Sequence, residues 1–138
     1  MKRRELREHT FKLVFMKEFY EPDVLESQVN LYLESEELAE YTDQEKEILK
    51  KRAEQVLAVT EEVDELINRY AKGWQTRRMA KVDLSLIRLA VFEIRHDPDV
   101  PDKVAINEAV ELAKKYGGND SPSFINGILG KVVRTEEA

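Results

Sequence analysis

The hydrophobic pattern of the chain is strongest in residues 82–94, VDLSLIRLAVFEI, where nine of thirteen positions are apolar. On a helical wheel these nine leave no continuous polar face, and a helix apolar nearly all round is a buried one in a globular domain. The opening VDLSL also alternates, which is the signature of a strand. The run is longer than a typical buried strand, however, and Pro98 and Pro101 lie just beyond its end, where a helix must stop. It falls short of the ~20 residues that cross a bilayer. The pattern predicts a central buried helix with other helices packed on it.

The flanking patterns have helical spacing. Residues 3–20 predict an amphipathic helix, with Leu6, Thr10, Phe11, Leu13, Val14 and Met16 sharing its apolar side. Glu21-Pro22-Asp23 breaks it, with Asp23 as the expected cap of a second helix over 24–34 that turns Leu25, Val29, Tyr32 and Leu33 inward. A polar, acidic connection runs through Glu40. Thr42 or Asp43 then opens a long helix, and Glu45 supplies the capping-box partner of Thr42. Thr60 before Glu61 and Glu62 reads as a fresh start, so the run divides there into a further helix over 61–72, closed by Gly73. Trp74 opens a short connection to the central helix and is expected to be a core lid packed under a turn. Beyond 96–101, Asp102 is expected to cap a helix with Ile106, Ala109, Val110, Ala113 and Tyr116 on one side, stopped at Gly117-Gly118. Ser121, followed by Pro122 at a first helical position, is expected to cap the last helix. Within it, Gly127 and Gly130 suggest close backbone approach to a neighbour, and a frayed tail is expected from Arg134. The sum is seven helices, no convincing strand and short loops: an all-α, bundle-like single domain over residues 1–138.

Composition narrows the function classes. Of 138 residues, 42% are hydrophobic and 36% charged, so the chain is neither disordered nor membrane-embedded by composition. It has no Cys, which excludes a disulfide framework, a thiolate nucleophile and cysteine metal ligands, and suits a reducing compartment. No apolar segment follows the basic start MKRRELREHT, so a signal peptide is not expected and a cytosolic protein is. The net charge of −6 is unevenly spread. Residues 1–20 carry six basic and three acidic groups, residues 21–72 six and fifteen, and residues 73–138 ten of each. A small basic pole on an acidic body permits selective nucleic-acid binding, although a solvated terminus and a solvated acidic face explain the same counts.

That pole is chemically odd. Lys2, Arg3, Arg4 and Arg7 stand at the start of a helix, where cations oppose the dipole. A locally poor choice is often a functional one, and four cations in six residues can neutralise several phosphates without reading sequence. Other chemistry is absent. His9 and His96 belong to no motif, the five glycines match no phosphate loop, and the carboxylates of residues 34–47 have no metal-ligand spacing. Neither an enzyme nor a cofactor is expected.

Three blocks in order carry a resemblance: IRLAVFEI at 87–94, VAINEAVELAKKYG at 104–117 and DSPSFINGIL at 120–129. Together with the Arg-rich start they closely resemble the NusB family of transcription antitermination factors, over nearly the whole chain; residues 21–60 match in pattern only. The resemblance implies a fold of two small helical bundles around a long central helix. It implies binding of the boxA element of nascent ribosomal transcripts, in company with NusE, a small-subunit ribosomal protein, within an RNA polymerase antitermination complex. It places the RNA contacts on Lys2, Arg3, Arg4 and Arg7, and at the last helix start on Asp120, Ser121, Ser123 and Phe124. Bare N–H groups there suit a phosphate. Phe124 either stacks on a base or packs in the core. NusE is expected against Phe15, which stands where some relatives have tyrosine, and Asp83. Glu5 sits where some relatives have a basic residue. Two other classes stay open: a helical appendage of an RNA cytosine methyltransferase, for which this chain has neither the catalytic domain nor the Cys, and a protein-binding adaptor whose basic start is only solubilising.

Overall fold

A computed structural model describes residues 1–71 and 73–137, with side chains through Arg134. The described chain is all-helical and divides into two compact units, Met1–Leu57 and Ala58–Ala138.

The first unit holds α1 (Arg3–Met16), α2 (Pro22–Leu33), a 3₁₀ turn (Glu36–Leu38) and α3 (Asp43–Ala58). Its core is Leu13, Val29, Leu33, Leu38, Leu49 and Ala53, with Leu6, Met16, Leu25, Tyr32 and Tyr41 packed against it. Helix α1 ends at Met16 and gives way to turns, four residues sooner than its periodicity suggests. Helix α2 opens at Pro22, which needs no N–H partner at a first helical position, so its cap is Glu21 and not Asp23. The acidic connection buries Leu38 completely, a core residue its polar surroundings conceal. The Thr42 capping box forms as expected. The Glu45 N–H donates to Thr42 Oγ1 at 3.1 Å, and the Thr42 N–H donates to Glu45 Oε1 at 3.0 Å.

The second unit holds α4 (Thr60–Tyr70), a 3₁₀ turn (Thr76–Arg78), α5 (Lys81–His96), α6 (Asp102–Tyr116) and α7 (Ser121–Glu137). The break at Thr60 is present. Helix α4 closes at Tyr70, while Lys72, the expected last residue, lies outside the described residues. Helix α5 is the buried helix the pattern predicts: every residue from Asp83 to Glu93 is buried, against α4, α6 and α7. Its one buried cation, Arg88, is met by the carboxylate of Asp64 on α4 in a two-pronged pair, Nε to Oδ1 at 2.8 Å and Nη2 to Oδ2 at 2.7 Å. Helix α6 presents Ala105, Ala109 and Ala113 to the core, small residues that let it lie close.

Two details of the last hairpin differ from expectation. Asp120, not Ser121, precedes the first turn of α7, its carbonyl accepting from the Phe124 N–H at 3.0 Å. The close backbone approach is at Gly117 and not at Gly127 or Gly130. A Cβ on Gly117 would lie 2.6 Å from Ser121 Cβ and Oγ, whereas one on Gly127 meets nothing within 4 Å and one on Gly130 only the flexible end of Arg134. The helix runs on to Glu137, and Ala138 lies outside the described residues.

Candidate nucleic-acid interface

In the first unit the candidate residues cluster at the opening of α1. Lys2, Arg3 and Arg4 are exposed and Arg7 is half-buried. The turn that presents them is anchored by Glu5. Its Oε1 accepts from the Lys2 N–H at 2.8 Å, and its Oε2 accepts from the Tyr41 hydroxyl at 2.5 Å. The Tyr41 bond, then the Lys2 N–H, hold the Glu5 carboxyl below the usual carboxylate range, and the same bond pushes the Tyr41 phenol up to about 12. The acid in the basic cluster thus fixes the turn that carries the cations. Farther along α1, the half-buried Phe15 lies between the buried Phe11 at 5.9 Å and the exposed Phe19 at 4.9 Å between ring centres, forming an aromatic ridge.

In the second unit, the start of α5 and the start of α7 meet at an open hollow of about 360 Å³. Asp83, Asp120, Ser121 and Phe124 all line it, so residues expected to serve two partners lie at one place. Ser121 is buried and its Oγ accepts from the Gly118 N–H at 3.0 Å, a contact that closes the turn into α7. Ser123 is exposed beside the hollow, its hydroxyl donating to the Asp120 carbonyl at 3.2 Å. Phe124 is half-buried, neither packed in the core nor fully free. Its ring meets Trp74 edge-on, 5.1 Å between centres at 73°. Trp74 is no core lid: it is 53% exposed.

Trp74 and Arg78 are residues of this site that the sequence did not mark out. The signal was present in WQTRR, an aromatic residue interleaved with cations at 74–78, but a solitary tryptophan in a short connection reads equally as core. Asp83 is 8% exposed, and its Oδ1 finds no hydrogen-bond partner among the described residues. Chemically, the hollow offers two aromatic faces, two carboxylates and a guanidinium. It suits a flat group with N–H donors better than a phosphate. Among the described residues, no cluster of acids and histidines could hold a metal, and no helix is long and apolar enough to cross a membrane.

Residues 4–134 match the model of the NusB family. The transcription antitermination protein NusB of Lachnoclostridium phytofermentans is 52% identical over 133 residues, 96% of this chain and 99% of that one. Among solved structures, T. maritima NusB superposes with a TM-score of 0.80 at 31% identity, covering 97% of this chain and 92% of that one. A crystal structure of the antitermination factors NusB and NusE in complex with double-stranded RNA matches in fold, with a TM-score of 0.78 at 22% identity and 96% of each chain covered.

Proposed function

The chain belongs to the NusB family, and from that premise we propose that it is a transcription antitermination factor that binds boxA-type RNA of nascent ribosomal transcripts together with NusE. Its two units work as a single RNA-binding domain, in the cytoplasm, as a binding factor and not an enzyme. The observation that carries this is the opening of α1: Lys2, Arg3 and Arg4 stand exposed against the helix dipole on a turn that Glu5 and Tyr41 anchor. A cationic cluster so placed opposes its own helix dipole, and an anion brought to it is favoured.

The roles divide by chemistry. Lys2, Arg3, Arg4 and Arg7 bind phosphates and set affinity. Asp120, Ser121, Ser123 and Phe124 form the second RNA contact, with Phe124 on a base. The ridge at Phe15 takes NusE, as part of the RNA polymerase antitermination complex. Asp83, buried and lining the hollow it shares with Phe124, is the second contact with NusE.

The test is a titration of boxA RNA against a scrambled RNA, with and without NusE. The expected result is preference for boxA that NusE strengthens. Replacing Arg4 and Arg7 together by Ala should weaken all RNAs alike, each lost phosphate contact flattening the slope of log K against log salt by about 0.7. Equal affinity for both RNAs, indifferent to NusE, would leave only a protein-binding adaptor.

A further inference from the structure

We propose that Tyr41 and Glu5 are positioning residues for RNA: together they hold the cation-bearing turn of α1 in its binding shape, so that an acid standing among the phosphate-binding cations raises RNA affinity. This rests on the reading of the α1 opening as a phosphate site and adds to it the residues that pre-form that site.

The difficulty such a turn must overcome is entropy. Lys2, Arg3 and Arg4 are long, exposed side chains at the end of a helix, and helix ends fray. Ordering them when a partner arrives costs affinity, and a turn held in place beforehand removes part of that cost. Glu5 is the acid of the first turn of α1, and both its oxygens are occupied. Oε1 accepts from the N–H of Lys2, the cap residue of the helix, and Oε2 accepts from the Tyr41 hydroxyl. One carboxylate thus joins the backbone that opens α1 to a residue 36 positions away. Hydrogen bonds to a charged acceptor are roughly twice as strong as neutral ones.

Tyr41 is built as a fixed post. Its N–H donates to the carbonyl of the fully buried Leu38 at 3.1 Å, and the next residue, Thr42, belongs to the capping box of α3. Its ring packs against the core of the first unit and edge-on against His9, 5.7 Å between centres at 78°. His9 is fixed in turn by the Tyr32 hydroxyl of α2. Residues of α1, α2 and the start of α3 therefore set where the Tyr41 hydroxyl lies before any ligand arrives. The shape of the cationic turn comes from the core of the unit and not from the helix propensity of its own residues.

Repulsion acts the other way, because a carboxylate near a phosphate site opposes the anion. Between groups that water and salt reach, that effect is weak. Loss of the fixed turn weighs more, since it releases several cations at once.

The test titrates the full chain and its variants with boxA RNA at several salt concentrations. Tyr41→Phe keeps the ring and loses the hydroxyl. It should bind about twofold to tenfold more weakly, the cost of ordering one long side chain on binding. The slope of log K against log salt should stay the same, because the same phosphates are contacted. Glu5→Ala should also bind more weakly although a negative charge has gone, whereas repulsion alone predicts tighter binding. Glu5 lies on a half-buried surface turn, so this variant decides the sign even where loss of the Tyr41 hydroxyl unsettles the fold. Adding Tyr41→Phe to Glu5→Ala should change affinity no further, the mark of one shared interaction. Val29→Ala, in the core of the same unit and away from the turn, should lower the urea midpoint and leave RNA affinity unchanged.

Tighter binding by Glu5→Ala makes the acid a repeller, and the proposal falls. Equal weakening by Val29→Ala and Tyr41→Phe reduces Tyr41 to a contributor to stability, and it falls again. Native affinity in Tyr41→Phe, with weakened binding on replacing Arg4 and Arg7, overturns the positioning role and leaves the phosphate site standing. Affinity undiminished by loss of Arg4 and Arg7 removes the underlying reading and this one with it.

Discussion

Gly117 and Gly127 show how differently one residue type can be constrained. At Gly117 an added methyl would overlap Ser121 and come within 2.9 Å of the Ala113 carbonyl, groups that close the turn between α6 and α7. Gly117→Ala should therefore lower stability by about 1–3 kcal/mol, the range for forcing an extra methylene into a packed site. Gly127 sits in mid-helix with open space around it. Gly127→Ala should raise stability by up to about 1 kcal/mol through helix propensity. Urea midpoints of the two variants, moving in opposite directions, check the pair.

His9 adds a pH dependence at the same scale. Its Nδ1 lies 2.6 Å from the Tyr32 hydroxyl, and its ring packs against Tyr32 and Tyr41. Burial pushes its pKa down, against the raising effect of Glu37. The folded chain thus binds this proton less readily than the unfolded one. As pH falls through the ordinary histidine value of about 6.5, the unfolded state takes up more protons and stability drops. The urea midpoint should fall between about pH 7 and about pH 5.5, and fall less steeply in His9→Gln. Parallel slopes would remove the histidine from the explanation.

Among the elements, α5 concentrates the packing energy. Leu89 is 3% exposed within it, and Leu89→Ala should cost ~2–5 kcal/mol in transfer and cavity terms. An unchanged midpoint would mean that α5 is not the core helix. The Arg88–Asp64 pair that ties α5 to α4 behaves differently. Removing the carboxylate takes a two-pronged, charged hydrogen bond from a guanidinium that is only 7% exposed, so Asp64→Ala should cost about 1.5–3 kcal/mol. Denaturant unfolding with an unchanged m value reads both. Periodicity located α5 because burial on every side leaves an apolar run. It could not show why an arginine belongs in that run, since Asp64 lies 24 residues away.

At the scale of the whole molecule the charge is unevenly spread. Residues 21–72 carry fifteen acidic and six basic groups. Beyond a Debye length of about 10 Å at 0.1 M salt their field is screened. Replacing Glu34, Glu36 and Glu37 by Gln should leave the preference for boxA over scrambled RNA unchanged. Loss of the Lys12–Glu37 surface ion pair should shift stability by about 1 kcal/mol or less. Lost RNA discrimination in that triple variant would put the site on the acidic part of the chain.

The sequence by itself determined the helices, their breaks and the cationic start. These depend on interactions within a few residues: the Thr42–Glu45 box, Pro22 and Pro122 at helix openings, and the unbroken apolar run of α5. Its motif blocks also pointed to the family. Tertiary structure alone decided which residues meet. It brought Trp74 from before α5 to Phe124 at the start of α7, set Asp83 in the same hollow without a donor, and tied Glu5 to Tyr41. The reason is physical. Local order is set by backbone hydrogen bonding and side-chain period over three or four residues. The partner of a buried polar group is set by helix packing between residues tens of positions apart, which no short-range pattern encodes.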